Sequence, residues 1–290
     1  MAVFAADHGV HAQGVSPWPQ EVTVAMVENF RAGGAAVNVL AKQAGASVYV
    51  VDAGVAAELQ PGGNLIDKKV ALGTADLRVG PAMTREQAIR SLEVGIEVAD
   101  ELIAQGHDCL LTGDMGIANT TASAALIAAF TGSAADVVTG RGTGIDDDTL
   151  ALKVAVVSDA LSRSRGDDPV EILASLGGFE HGAIAGFVLG AAARRVPVVL
   201  DGVIAGAAAL VAQALAPESV GYCFAGHRSV EPGHVVALAQ LGLRPLVDLD
   251  LRLGEGTGAA LAFPIVEAAG AVLRDMATFD SAGVANKEAP

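Results

Sequence analysis

Short apolar runs that end in glycine or an acidic residue alternate along the chain with longer stretches of helical period. That alternation predicts βαβ units packed around a parallel sheet. The strand-like runs are at 3–6, 47–51, 109–112, 196–200, 222–225 and 245–249. Helical periodicity covers 19–43, 85–105, 119–130, 149–162, 179–195, 204–214, 233–241 and 257–278. Two stretches break the rhythm. Residues 61–83, PGGNLIDKKVALGTADLRVGPAM, carry Gly and Pro without a clear period and read as a long excursion over a sheet edge. Residues 164–169, SRGDDP, read as a polar loop, and the small polar tail after Phe279 reads as frayed. The whole predicts a doubly wound α/β domain spanning residues 1–290.

The strand ends carry most of the polar chemistry. Asp7, Asp52, Asp114, Asp201 and Asp248 each follow or close a strand-like run, and His227 follows another. In doubly wound sheets ligands bind outside the carboxyl ends of the strands, so these side chains are expected to converge on one crevice. Any one acid alone reads as the cap of the next helix; so many together read as a site.

Composition narrows the picture. Apolar residues make up 52% of the chain and glycine 35 positions, with aromatics at only 4%, so packing must rely on Ala, Val and Leu at close approach. The formal charge of −15, from 18 basic and 33 acidic side chains without a basic block, argues against a nucleic-acid partner. Cys109 and Cys223 lie in apolar runs without metal-type neighbours, which suits reduced core thiols and a cytoplasmic setting. The start, MAVFAADHGV, has no basic region of the signal-peptide kind. The longest apolar stretch, 182–193, is too short to span a bilayer, so no membrane partner is expected.

Three segments suit a nucleotide-like ligand. TGDMGIANTT at 112–121 leaves a strand, turns on Gly113 and Gly116 and enters a helix headed by Asn119, Thr120 and Thr121, where free amides and hydroxyls favour an anion. GRGTG at 140–144 offers further amides plus Arg141, and Lys153 follows on the next helix. Neither matches a Walker loop or the dinucleotide fingerprint, so the pair points to a monophosphate. In RLGEGTG at 252–258, Glu255 stands among three glycines at the mouth of an apolar helix. Poor hydration there favours a proton acceptor working near neutral pH, and complementing the helix N-terminus accounts for the residue equally well.

Taken together, DHG at 7–9, GVSPWPQ at 14–20, RAGG at 31–34, GDMGIANTT at 113–121, LGGFE at 176–180, VLDG at 199–202 and RLGEGTGAAL at 252–261 resemble the nicotinate-nucleotide dimethylbenzimidazole phosphoribosyltransferases, in consistent order from Val3 to about Phe279. The resemblance implies a homodimer with a doubly wound, mostly parallel Rossmann-like sheet and a small helical subdomain built from the chain ends. It implies transfer of ribose 5-phosphate from nicotinate mononucleotide to a benzimidazole-type base, in nucleotide-loop assembly of cobalamin. Glu255 is then the general base, and Asp114, Met115, Gly116, Asn119, Thr120, Thr121, Gly142 and Lys153 hold the nucleotide. Trp18, Met26 and Leu253, with Met115, lie against the incoming base. Nicotinate is a good leaving group, so no metal or other cofactor is expected. The sequence departs from the family in two ways: Asp114 stands where relatives commonly carry Glu, and the chain begins almost at the first strand, without the family's N-terminal helices.

Two other classes share such loops. A nucleotide-dependent oxidoreductase should show the dinucleotide fingerprint after the first strand, where ADHG at 6–9 stands. A non-catalytic nucleotide sensor would have no use for Glu255.

Overall fold

The computed structural model describes residues 1–164 and 166–285. Its strands are β1 (Ala2–Ala6), β2 (Tyr49–Gly54), β3 (Leu65–Asp67), β4 (Leu110–Met115), β5 (Val198–Leu200) and β6 (Cys223–Ala225). They form one parallel sheet in the order β3-β2-β1-β4-β5-β6. The order reverses between β1 and β4, so the chain leaves those two neighbours toward opposite faces and a crevice opens at their carboxyl ends.

Period-two alternation divides β1 between two cores. Met1, Val3 and Ala5 join the cluster that includes Val27, Phe30, Val37, Ala259 and Ala262, so helices α1 (Val22–Ala32), α2 (Ala36–Gln43) and α11 (Thr257–Asp275) cover that face. Ala2, Phe4 and Ala6 face the larger cluster. There lie α3 (Arg85–Ala104), α4 (Asn119–Thr131), α5 (Ala135–Val138), α6 (Asp147–Arg163), α7 (Pro169–Leu176), α8 (Phe179–Ala193), α9 (Val203–Leu215) and α10 (Pro232–Leu241).

The shortage of aromatics is met by backbone contact. Gly182, Gly186 and Gly190 recur every fourth residue of α8 and line one stripe of that helix. A Cβ on Gly186 would lie 1.8 Å from the Leu92 carbonyl oxygen, and one on Gly95 1.8 Å from that of Ala183, so α3 and α8 meet backbone to backbone.

The structure corrects several sequence expectations. The helix expected over 19–43 is two, because Gly33 adopts φ +78° and the amides of Gly33 and Gly34 bond back to Phe30 and Asn29. The excursion at 61–83 contains β3, a three-residue edge strand whose neighbouring Gly and Lys residues hide its pattern. The run at 245–249 is not a strand: Val247 makes a single bridge with His227, after which Asp248, Leu249 and Asp250 turn out to solvent. Helix α7 starts inside the expected polar loop, with Asp168 capping the Val170 amide ahead of Pro169; Arg165 of that loop lies outside the described residues. The tail through Ala285 is folded into turns, with the Val284 amide on the Phe279 carbonyl; residues 286–290 are not described.

Helix α11 is long and apolar enough to cross a membrane by length and composition. Its first turns are buried on the sheet, whereas Ile265, Val272 and Leu273 further along are exposed. A Gly186→Val substitution should push α3 off α8 and cost about 3 kcal/mol. The check is a urea midpoint that falls with an unchanged slope.

Candidate functional site

Strand β4 is buried throughout and ends in Gly113, Asp114 and Met115. The loop before α11 lies directly across it: a Cβ on Gly113 would sit 2.4 Å from the Glu255 carbonyl oxygen. Gly254, Glu255 and Gly256 all have positive φ, at 77°, 66° and 102°. For Glu255 that conformation is strained, so it persists only where neighbours enforce it. Asp201, just past β5, supplies the enforcement. Its Oδ2 accepts from the Gly256 amide at 3.0 Å, and its Oδ1 from the amides of Gly258 at 2.8 Å and Ala259 at 3.0 Å. Thr257 Oγ1 closes the turn onto the Gly254 carbonyl at 2.8 Å.

The result is a group of three acids, Asp114, Asp201 and Glu255. Burial, and then the charge of Asp201, lift Glu255 from the ordinary 4.5 to about 7. Asp114 is pushed well above the usual carboxylate range by burial and by Asp201, against the pull of the amide donated by Asn119 at 3.0 Å; Glu180 and Glu255 push it further. Its Oδ1 is buried without a hydrogen-bond partner.

One residue along α4, Thr120 serves a second cluster. Lys153 on α6 is buried and donates to Thr120 Oγ1 at 2.8 Å and to the Gly140 carbonyl at 3.0 Å. Burial lowers this ammonium from 10.5 to about 8, with Glu231 opposing the fall. Glu231 Oε1 also accepts from the Gly142 amide at 2.8 Å. A cation with neutral acceptors and a partly engaged amide beside it are suited to an incoming phosphate. Glu231 was not anticipated from sequence: it precedes Pro232 at a helix start and reads there as a cap, yet α10 takes no side-chain cap from it.

Behind α4 lies a buried polar chain. Glu180 Oε1 lies 2.7 Å from His8 Nε2 and 2.8 Å from His181 Nδ1, and His181 Nε2 lies 2.8 Å from Ser123 Oγ. Burial opposes charge on His8 and Glu180 alike, but their mutual attraction prevails, raising His8 and drawing Glu180 below the usual range. Among the described residues these two histidines and Glu180 are also the donor set able to ligate a metal. Here His8 is hydrogen-bonded to Glu180, while His181 Nδ1 lies close to the same oxygen without a hydrogen bond.

Comparison with known proteins agrees with this architecture. The model of a family described as Phosphoribosyltransferase matches residues 1–284. The nicotinate-nucleotide–dimethylbenzimidazole phosphoribosyltransferase of Salinispora tropica is 58% identical, the alignment covering 99% of this chain and 83% of that protein. The same-named protein of Chloroflexus aurantiacus is 57% identical over 98% of this chain and 82% of its own. The chain belongs to this family. Two crystal structures from Thermus thermophilus, one of the same enzyme and one of CobT, superpose with TM-scores of 0.94 and 0.96 at 50% and 52% identity, covering 99% of this chain and 85% and 86% of theirs.

Within that family frame, the structure gathers some of the expected residues and disperses others. Asp114, Gly116 and Asn119 surround the β4 end, with Gly116 so close to β1 that a Cβ would meet the Ala6 carbonyl oxygen at 2.2 Å. Thr120, Gly142 and Lys153 meet at the second cluster. Thr121 is fully buried and its hydroxyl lacks a partner. The amides of Asn119 and Thr121, expected free, donate to Gly116 and Ala118. Arg141 pairs with Asp147 rather than turning inward. Met26 and Met115 share one apolar cluster, while Trp18 and Leu253 are 50% and 57% exposed.

The expected convergence of the strand-end acids holds for Asp114 and Asp201, with His227 Nε2 3.7 Å from the latter. Asp7 instead accepts from the Ala56 amide, Asp52 pairs with Lys69, and Asp248 is exposed and paired with Arg228.

The raised Glu255 has a consequence for stability. Folded, it holds its proton up to about pH 7, whereas unfolded it releases it near 4.5, so its contribution to stability falls as pH rises between those values. Glu255→Gln should therefore be more stable than the parent at pH 8, by on the order of 1 kcal/mol after solvent screening, with the gain gone at pH 4. Denaturant titrations at the two pH values check both the sign and the window.

Proposed function

We infer that the chain transfers the ribose 5-phosphate of nicotinate mononucleotide to 5,6-dimethylbenzimidazole or a related base, giving α-ribazole 5′-phosphate and nicotinate. The observation that carries this reading is the first turn of α4, where adjacent residues reach the two halves of a nucleotide site. Asn119 bonds Asp114 beside the Glu255 loop, and Thr120 bonds Lys153. A nucleotide laid along that turn places its phosphate toward Lys153 and Gly142 and its sugar toward the acids.

The base then enters over Met115, Met26 and Leu253, and Trp18 forms the outer rim. Its ring nitrogen attacks the anomeric carbon as the bond to nicotinate breaks on the opposite face, so the configuration inverts and the bonding pair leaves with nicotinate. The incoming base loses its N–H proton to Glu255, whose raised pKa suits an acceptor working near neutrality. The positive charge developing on the ribose is of the kind glycosidases stabilise with carboxylates, and three acidic side chains are grouped here. The reaction as read requires no metal or cofactor.

This reading also places the protein in the cytoplasm as a homodimer. Two free cysteines, one buried and one half-buried, suit a reducing compartment. The exposed apolar side chains on the second half of α11 offer a surface for a partner copy. Light scattering should return twice the chain mass.

Mixing the protein with nicotinate mononucleotide and dimethylbenzimidazole should release nicotinate and α-ribazole phosphate in equal amounts, followed by chromatography. Glu255→Gln should lower turnover by about a thousandfold with little change in the nucleotide KM. Near-parental turnover in that variant would remove Glu255 from the role of base. Because Lys153 loses its proton near pH 8, the nucleotide KM should be flat below that value and climb above it, and Lys153→Met should raise it at every pH.

A further inference from the structure

Asp201 is the point through which the sheet holds the Glu255 loop. Its own amide donates to Thr112 Oγ1 on β4 at 3.0 Å, so it is fixed from behind as well as through its carboxylate. In front, both oxygens are occupied by the amides of Gly256, Gly258 and Ala259. On its flank, Gly258 is pinned against His227, since a Cβ there would lie 1.9 Å from the ring Cδ2.

We propose that Asp201 is the positioning residue of this enzyme: it seats the Gly254–Gly256 loop on β4 by capping α11 through three amides, and it sets its own carboxyl group beside that of Glu255. The proposal rests on the reading of Glu255 as the base. The groups that face Glu255 come from three elements. Asp201 stands after β5 and Asp114 at the end of β4, while His227 stands after β6 behind Asp201. Among the described residues no lysine or arginine forms an ion pair with Glu255, and the nearby Arg252 is exposed.

Of the two acids, Asp201 is the one that lifts Glu255, after burial itself. A purely structural cap would lower turnover without moving the pH at which the base loads its proton. A charged neighbour moves both.

The test is the pH dependence of turnover in the full chain, with the same two substrates throughout so that their own titrations cancel. Asp201→Asn and Asp201→Thr are both neutral and both still able to accept an amide hydrogen bond. In each, plateau turnover should fall on the order of ten- to a hundredfold as the loop loosens. The acidic limb should move down by about one pH unit, the low end of what a like charge within a few ångströms does to a carboxyl. Calorimetric affinity for nicotinate mononucleotide, anchored at α4, should change little.

A limb that stays at the parent position in either folded variant overturns the proposal, as does parental turnover. Loss of the native melting transition in both variants would make Asp201 a folding residue and overturn it too. Glu255→Gln, measured in the same buffers, separates this from the underlying reading. That variant should lose the acidic limb altogether, and if it kept both limb and rate the base assignment itself would fail, whatever the Asp201 variants did.

Discussion

The backbone of Gly254–Gly256 lies flat on strand β4, and the site depends on that contact. It is possible because position 113 has no side chain, the Glu255 carbonyl oxygen taking the place where a Cβ would be. It is strained, because a residue with a side chain is held at φ +66° at a cost of about 1–2 kcal/mol. Three amide hydrogen bonds to one carboxylate, each worth about 1.5–3 kcal/mol when the acceptor is charged, are ample to hold it. With glycines on either side, the Glu255 side chain is the one functional group the loop delivers, and it is delivered beside Asp114.

The same use of missing side chains recurs across the molecule. A chain poor in aromatics fills its interior by bringing backbones together, as α3 and α8 do through Gly95 and Gly186 on the far face of the sheet. At the crevice, Gly116 against Ala6 brings the ends of β1 and β4 within contact where the strand order reverses. Consecutive residues of α4 then divide the chemistry. Asn119 reaches the acids and Thr120 the buried lysine, so opposite charges are held a fixed distance apart by one rigid turn. The net charge of −15 has no bearing on this, because the cation that matters is buried with Glu231 as its nearby counter-charge.

What could be read from sequence was whatever is written locally. The apolar runs of β1, β2, β4, β5 and β6 stand out because buried parallel strands are continuous rather than alternating. β3 does not, because three residues between turn chemistry and two lysines carry no period, and the run around Val247 misleads because composition alone does not reveal that pairing lasts for one bridge. Glu255 and Lys153 were legible from their surroundings, a glycine-rich loop and a helix after a glycine-rich turn. Glu231 was not, since the amide it takes lies 89 positions away at Gly142. Asp201 was visible as a strand-end acid, but its three amide partners lie 55 to 58 positions further on, and no local pattern distinguishes it from Asp248, which ends in solvent.

Beneath α4 the fold adds an internal ionic support that connects the sheet to the same turn. His8 follows β1, and Glu180 and His181 open α8; Ser123 stands one turn below Asn119 and donates to its carbonyl at 3.0 Å. Their mutual attraction raises His8 and lowers Glu180 against the opposing effect of burial, and both side chains are wholly out of water. A buried ion pair of this kind adds little net stability over apolar residues of the same size, but losing one partner leaves the other uncompensated at a cost of about 3–5 kcal/mol. Its contribution is therefore geometric: β1, α8 and α4 have one arrangement in which every charge is matched. Asn119 and Thr120 inherit that arrangement, so the spacing between the acids and the lysine is set from within the core rather than by the loops that border the crevice.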